Sequence, residues 1–148
     1  PLEIWDEVIE INLTSVFTLT QLTGREMLKR GQGKIVNIAS MQSFNGGMNI
    51  PAYAASKGGV AILTKSFANA WASRGINVNA IAPGYFDTKM TAGVKNNPIR
   101  YEQILARIPA GRWGQPGDIC GSLLFLVSPA SDYVNGVILP VDGGMLCT

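Results

Sequence analysis

The chain has no histidine and only two cysteines among its 148 residues. Without histidine, and without a C-x-x-C pair, the usual ligand sets for zinc are missing, so no metal site is predicted. Cys120 lies within an apolar stretch and is predicted to be a buried thiol, while Cys147 stands alone. Isolated cysteines favour a reducing compartment, and a cytoplasmic location is expected.

Charged residues are scarce, and long apolar runs are absent. Asp, Glu, Lys and Arg make up 15% of the chain, the net charge is +2, and no basic cluster is longer than Lys29-Arg30. This composition argues against a nucleic-acid-binding protein. No apolar run approaches the length of about 18 residues that spans a bilayer, so no membrane segment is expected. With 47% hydrophobic residues, the chain is long enough to fold as one domain.

The most informative stretch runs from Lys34 to Lys65. A short apolar run ends at Ser40 and reads as a strand, and a loop rich in Asn and Gly follows it. The helix predicted next carries Tyr53 and Lys57. Residues four apart lie one above the other on a helix, so the phenol and the ammonium share one face. We therefore expect these two side chains to act together.

A tyrosine beside a cation can exchange protons near neutral pH. A free phenol has a pKa of about 10, and a nearby positive charge favours its ionised form. The hydroxyl of Ser40, at the end of the strand, could hydrogen-bond the oxygen of a substrate. Ser43 is the alternative hydroxyl. The three groups predict proton transfer to or from an oxygen while a hydride moves at the adjoining carbon.

Helices and strands are predicted to alternate in an α/β pattern. Helices are expected at 1–30, 53–74, 102–108 and 118–128, and strands at 34–39, 76–82 and 136–141. The wide apolar stripe of the first helix predicts burial against both a sheet and another helix. The strand at 34–39 is apolar almost throughout, which is typical of a parallel sheet covered on both faces. Asn37 within this strand needs a hydrogen-bond partner, and the neighbouring backbone is one candidate. Asn77 and Asn79 are predicted to be structural.

Two segments in the second half leave alternatives open. Residues 89–101 have no clear period and are interpreted as a mobile lid over a substrate, or else as a surface connector. Arg112 could be a structural clamp or a contact for a substrate carboxylate. Pro83-Gly84 ends the second strand, and ligands of open α/β sheets bind outside such strand ends. Thr88 follows, and it could cap a helix.

These motifs together resemble the catalytic segment of the short-chain dehydrogenase/reductase family. The resemblance rests on Ser40, Tyr53-x-x-x-Lys57, the later P-G-Y-F-D-T and V-D-G-G segments, and Asn12 in an N-L-x-x-x-F context. It implies a Rossmann-like doubly wound parallel sheet. It further implies that Tyr53 is the acid or base, that Lys57 assists it and binds the nicotinamide ribose, that Ser40 positions the substrate oxygen, and that Asn12 kinks its helix and holds a water of the proton relay.

The same resemblance implies the ligands and the assembly. Cofactor contacts are expected at Tyr53, Lys57, Pro83, Gly84, Phe86 and Thr88, and substrate contacts at Ser40, Gln42, Tyr53 and Tyr85. The cofactor is expected to be NAD or NADP, with NAD slightly favoured, and the substrate a gluconate-type sugar acid. The alternative substrate is a 3-oxoacyl thioester. Helices 1–30 and 53–74 are expected to form the interface of a dimer or tetramer.

The glycine-rich phosphate-binding turn of this family is missing. No G-x-x-x-G-x-G follows a strand, although such a turn normally holds the pyrophosphate of the cofactor. Residues 1–148 are therefore interpreted as the C-terminal catalytic portion of a single Rossmann-like domain. A truncated, non-catalytic fragment that acts only through oligomerisation is the alternative. The first strand would expose an unpaired edge, which predicts poor solubility or association with an N-terminal portion.

Overall fold

A three-stranded parallel sheet with helices packed against it forms the centre of the molecule. The computed structural model describes all 148 residues. The strands are β1 (Gly33–Ile38), β2 (Ile76–Pro83) and β3 (Ile138–Val141), in the order β1-β2-β3. The helices are α1 (Leu2–Ile9), α2 (Ser15–Arg30), α3 (Pro51–Trp71), α4 (Ala92–Lys95), α5 (Pro98–Leu105) and α6 (Cys120–Val127). The predicted α/β class and parallel sheet are confirmed.

The central strand, β2, is the most deeply buried strand of the sheet. Ile76, Val78 and Ile81 have at most 1% of their surface exposed. Strand β2 pairs with β1 from Gly33↔Ile76 to Ile38↔Ile81, and with β3 from Ala80↔Ile138 to Pro83↔Val141. This register brings the carboxyl ends of the strands to one edge of the sheet, where the residues that follow them meet.

Helix α3 covers one face of the sheet through small and β-branched residues. Val60 is fully buried and Ala61 nearly so, and they contact a cluster that consists of Ala39, Ala80, Ala82 and Ile138. Burial of a valine side chain stabilises a fold by roughly 1.5–3 kcal/mol. This packing fixes the position of α3 one turn beyond Lys57, so it also positions the start of the helix.

Asn37 satisfies its side chain through two hydroxyl groups. Its Nδ2 donates to Thr64 Oγ1 of α3 at 3.0 Å, and its Oδ1 accepts from Thr20 Oγ1 of α2 at 3.2 Å. All three residues are buried. The partners expected from sequence were neighbouring backbone groups, whereas the structure ties the Asn37 side chain of β1 to two helices, α2 and α3. Asn77 and Asn79 are structural as predicted, since both donate to the backbone oxygen of Val134.

The first thirty residues are helical but not one continuous α-helix. A π-helical segment, Glu10–Thr14, separates α1 from α2. The predicted packing of this region against both a sheet and another helix is confirmed for α2, because Met27 and Leu28 contact a cluster that includes Trp71 of α3 and Val78 of β2. The burial is partial, since α1 has no buried residue and α2 buries only Thr20 and Gly24. Apolar residues remain exposed along these helices and on α3: Leu2, Ile4, Ile11, Leu19, Leu22 and Ile62. None of the helices is both long and apolar enough to cross a membrane.

The irregular structure expected of residues 89–101 and the burial expected of Cys120 differ from the structure, while the lid interpretation of residues 89–101 stays a prediction. Residues 89–101 are largely helical, with a 3₁₀ turn followed by α4 and the start of α5. The side chain of Asn97 caps α5 by accepting a hydrogen bond from the Arg100 N–H at 3.1 Å. Cys120 is exposed rather than buried. It opens α6, an apolar helix of which only Leu126 is fully buried, so the apolar sequence around the thiol does not shield it.

Strand β1 lies at the edge of the sheet, as the sequence predicts. It pairs only with β2, so one row of its backbone groups has no strand beside it. Its two faces are less covered than expected for a buried parallel strand, because Ile38 is 50% exposed. The exposed side chains of α6, among them Leu124 and Phe125, are a second uncovered apolar surface.

Candidate active site

Tyr53 and Lys57 lie one turn apart at the start of α3. The helix begins at Pro51, whose fixed φ angle suits the first helical position. The Lys57 Nζ is 5.8 Å from the centre of the Tyr53 ring. The predicted side-by-side arrangement of phenol and ammonium is therefore present, and Tyr53 is half-buried.

Lys57 is a buried cation held at the carboxyl end of β1. Its Nζ donates to the backbone oxygen of Ile38 at 2.8 Å, and 8% of the residue is exposed. Burial lowers the pKa of the Lys57 ammonium from its ordinary value of 10.5. An ammonium has three donors, and Ile38 uses one of them. The other two are free to meet a bound molecule.

Ser40 and Ser43 are both near this lysine, but their hydroxyls differ in availability. Ser43 Oγ donates to the backbone oxygen of Lys57 at 2.6 Å and so links the loop after β1 to α3. Ser40 Oγ accepts from the Gln42 N–H at 3.1 Å, which leaves its own proton free to donate. Ser40 is therefore the hydroxyl that remains able to bind an oxygen of a ligand.

Asn12 lies in the π-helical segment, which packs on α3 near Lys57. The neighbouring Leu13 fills the space above Gly59, where an added Cβ would come within 2.8 Å of the leucine side chain. The Asn12 side chain makes no hydrogen bond within the chain, and the residue is half-buried. A π-helical turn inside a helix often marks a functional position.

The residues after β2 include a backbone donor without a partner, the N–H of Phe86. Phe86 is 7% exposed, its carbonyl accepts from Thr91 Oγ1 at 2.5 Å, and its N–H makes no hydrogen bond within the chain. Gly84 is needed at the preceding turn because an added Cβ would lie 2.7 Å from the side chain of Asp142. Thr88 stands at the N-cap position of the 3₁₀ turn that follows, and its N–H donates to Thr91 Oγ1 at 3.0 Å.

A cleft of about 720 Å³ lies next to Ser40, because Met41 and Gln42 line it, whereas Ser40, Tyr53 and Lys57 are not among its lining residues. One wall is the loop that joins Ser40 to the start of α3, and the opposite wall is α5 with the turn after it. Gln42 and Tyr85, both predicted substrate contacts, line it. The other polar lining residues are Asn45, Asn49, Asn97, Arg100, Gln103 and Arg107.

The two arginines of this cleft, Arg100 and Arg107, were not predicted from the sequence. Arg100, Gln103 and Arg107 are spaced three and four residues apart, which is typical of one helix face. The spacing could have been noticed, but the segment before 102 was interpreted as irregular, so Arg100 was not placed on the same helix as Gln103. No group of three His, Cys, Asp or Glu side chains is placed to hold a metal ion.

Arg112, for which two roles were open, is a structural clamp in this structure. Its Nη1 and Nη2 donate to the two carboxylate oxygens of Asp118 at 2.7 and 3.0 Å, and Nη1 also donates to the Trp113 carbonyl at 3.1 Å. The guanidinium, helped by the Gln115 N–H, lowers the pKa of Asp118 from its ordinary value of 3.8 to about 2.

This pair predicts a pH-dependent contribution to stability. Because the folded-state pKa of Asp118 lies below its ordinary value, the contribution is complete above pH 3.8 and is lost as the pH falls towards about 2. Asp118→Asn is therefore expected to lower the melting temperature at pH 6 and to match the parent protein near pH 2. Thermal unfolding followed by circular dichroism checks this, and a difference that persists unchanged at pH 2 would contradict it.

The chain is similar in sequence to proteins of a known family. Residues 1–146 match the family model described as enoyl-(acyl carrier protein) reductase, which belongs to the short-chain dehydrogenases/reductases. The chain is 63% identical over 146 residues to the 2-dehydro-3-deoxy-D-gluconate 5-dehydrogenase of Bacillus subtilis, covering 99% of this chain and 58% of that protein. It is 47% identical over 146 residues to the 5-keto-D-gluconate 5-reductase of Escherichia coli K12, with the same two coverages.

Solved structures agree with these relatives. The gluconate 5-dehydrogenase of Burkholderia cenocepacia J2315, in complex with NADP and tartrate, superposes with a TM-score of 0.98 at 42% identity. All of this chain and 58% of that chain are matched. The chain therefore spans a little more than half the length of the curated and solved relatives it matches.

Proposed function

The chain belongs to the short-chain dehydrogenase/reductase family, and on that premise we propose that it is the catalytic portion of an NAD(P)-dependent oxidoreductase. The reaction would interconvert a secondary alcohol and a ketone on a gluconate-type sugar acid. The observation that carries the proposal is the pairing of Tyr53 with Lys57 on α3, where the Lys57 ammonium donates to the backbone oxygen of Ile38, two residues before Ser40. Two relatives, named for reactions at carbon 5 of gluconates, support the substrate class.

Each of these side chains has a role that its surroundings support. Tyr53 gives a proton to the carbonyl oxygen during reduction and removes it from the alcohol during oxidation. The Lys57 ammonium, 5.8 Å from the centre of the Tyr53 ring, stabilises the negative charge that the phenol carries between those events. Ser40 donates its free hydroxyl proton to the same substrate oxygen. Asn12, unpaired in its π-helical segment, would hold a water that passes protons to Lys57.

The open donors fit a nicotinamide dinucleotide, which supplies or accepts the hydride when bound. The two free N–H groups of Lys57 fit the hydroxyls of a ribose, and the unpaired N–H of Phe86 fits a carboxamide oxygen. Pro83, Gly84 and Thr88 would form the rim beside that carboxamide. The choice between NAD and NADP is not encoded in these groups, although the Burkholderia relative is described with NADP.

The pyrophosphate of such a cofactor would need a glycine-rich turn that these 148 residues do not contain. We propose that a strand and turn outside residues 1–148 complete the sheet at the free edge of β1. The half-exposed Ile38 and the exposed Leu124 and Phe125 are the apolar surface such a portion would cover. A non-catalytic fragment that acts by oligomerisation is the competing interpretation.

A homo-oligomer, dimer or tetramer, is also part of the proposal. The exposed apolar residues of the first two helices and α3 form a surface that a second copy would cover. The chain has two free cysteines and no disulfide, which supports the cytoplasmic setting expected for this enzyme.

An assay of the full-length protein tests the function. We expect the protein to oxidise D-gluconate, or to reduce its 5-keto form, with NAD or NADP as the cofactor. The absorbance of the reduced nicotinamide at about 340 nm follows the reaction. Turnover of a 3-oxoacyl thioester without turnover of any sugar acid would instead favour the alternative substrate. Absence of turnover with all of these substrates would favour the non-catalytic interpretation.

A further inference from the structure

Two arginines face the cleft without any acidic partner. The ion pairs of the chain join Lys29 to Glu26, Lys34 to Asp132, Lys95 to Asp87 and Arg112 to Asp118. The guanidinium groups of Arg100 and Arg107 take part in none of them and make no hydrogen bond. No Asp or Glu lines the cleft. The cleft thus contains two positive charges that nothing in the chain neutralises.

The position of these arginines is fixed by the opposite face of the same segment. Ile104 and Ile108 are buried against Met41, Trp113 and Met145. Arg100 lies on α5, and Arg107 lies in the turn that follows, two residues after the last residue of that helix. Both line the cleft, so the apolar contacts of the segment hold the two cations towards it.

The remaining polar lining consists of amides, and one of them has an unsatisfied buried acceptor. Gln42 Oε1 is shielded from solvent and has no hydrogen-bond donor. A buried acceptor without a donor is unfavourable, so a ligand hydroxyl that donates to it would be favoured. Gln42 lines the cleft two residues after Ser40, and its backbone N–H donates to the Ser40 hydroxyl, so this part of the cleft wall is tied to the predicted substrate-binding serine.

From these observations we propose that Arg100 and Arg107 bind the carboxylate of the substrate and that Gln42 accepts a hydrogen bond from one of its hydroxyls. The inference rests on the proposed function and makes it more specific. A guanidinium matches a carboxylate through parallel hydrogen bonds, while amides match hydroxyls. The substrate would then lie across the cleft with its carboxylate at α5 and its reacting carbon near Ser40 and Tyr53.

The test compares an anionic and a neutral probe of the same shape. D-gluconate and sorbitol differ only in that a carboxylate replaces a CH₂OH group. In the full-length protein saturated with NADPH, which cannot accept a hydride from D-gluconate, Arg100→Gln and Arg107→Gln are each expected to raise the Kd for D-gluconate about tenfold, and the double variant about 100-fold. The Kd for sorbitol and the KM for NADP are expected to stay unchanged, as measured by calorimetry and initial rates.

Arg74→Gln is the matched control. It removes the same charge from an exposed arginine in the turn before β2, at the opposite end of that strand from Tyr85. It is expected to leave all these constants at the parent values. Gln42→Leu, which removes the buried acceptor, should weaken D-gluconate and sorbitol equally, because it acts on a hydroxyl that both probes share.

Several outcomes would overturn the inference. The first is that the parent protein does not bind D-gluconate. The second is that the arginine variants lose affinity for D-gluconate and sorbitol equally. The third is that the arginine variants lose turnover only with a thioester carried on an acidic carrier protein. The proposed function has a separate outcome. If the full-length protein oxidises no sugar acid, yet the double variant selectively loses D-gluconate binding, the carboxylate site stands and the proposed reaction fails.

Discussion

Tyr53→Phe is expected to lower kcat by about 10²- to 10⁴-fold, the range that general acid–base groups supply. The change removes one oxygen atom and keeps the ring. The Tyr53 hydroxyl makes no hydrogen bond within the chain. The Ser56 Oγ donates to the backbone carbonyl of Tyr53 at 2.7 Å, and this bond does not involve the hydroxyl. The substitution therefore disrupts no interaction that the fold uses, and the melting temperature should change by less than about 2 °C.

The measurement is kcat with saturating nicotinamide cofactor and sugar acid, beside a thermal unfolding curve. Tyr133→Phe is the control, because Tyr133 is fully exposed and removal of its hydroxyl should affect neither value. KM for the cofactor should rise little in Tyr53→Phe, since the ring stays in place. A variant that retains more than about a tenth of the parent turnover would refute the role of Tyr53 as proton donor.

Lys57→Met is expected to separate activity from stability. Removal of one preorganised cationic donor beside a developing charge costs about 10²- to 10³-fold in rate. The methionine retains an apolar stem of similar length, so the packing of α3 against the sheet is preserved. The carbonyl of Ile38 loses its donor, but Ile38 is half-exposed and water can replace the ammonium. We therefore expect low kcat in a protein that unfolds at the same temperature or higher.

The stability difference between Lys57→Met and the parent protein should depend on pH. Burial lowers the folded-state pKa of Lys57 below its ordinary value of 10.5, so folding with a charged Lys57 costs free energy at every pH below the folded pKa. That cost falls as the pH rises from the folded pKa towards 10.5, because the unfolded chain then holds more protons than the folded one. Any stability advantage of Lys57→Met should thus be largest near pH 7 and should shrink in alkaline buffer.

Lys65→Met, on the same helix two turns later, is the matched control for charge removal. Lys65 is exposed, so its replacement should leave kcat unchanged. Urea unfolding at pH 7 and pH 10 gives the stability comparison, and steady-state assays give kcat. A Lys57→Met protein that is strongly destabilised at pH 7 would show that the ammonium serves the fold rather than the chemistry.

What the sequence by itself determined about this protein lies within short stretches of chain. Tyr53 and Lys57 had to share a helix face because they are four residues apart. The strand ends at Ser40 and Pro83 followed from apolar runs that stop at turn residues, and the glycine-rich turn could be reported as missing by inspection. The alternation of helix and strand predicted the parallel sheet, since each periodic pattern depends on neighbouring residues alone.

Only the tertiary structure decided what depends on contacts between distant segments. Asn37 found its partners 17 and 27 residues away, on two different helices. Cys120 is exposed because the apolar helix it opens has one uncovered side, which its local sequence does not reveal. The cleft of Arg100 and Arg107 exists because the loop after β1 folds opposite α5. Burial and electrostatic pairing are properties of the packed molecule, so residues of identical type, such as Arg112 and Arg100, differ in whether they form an ion pair.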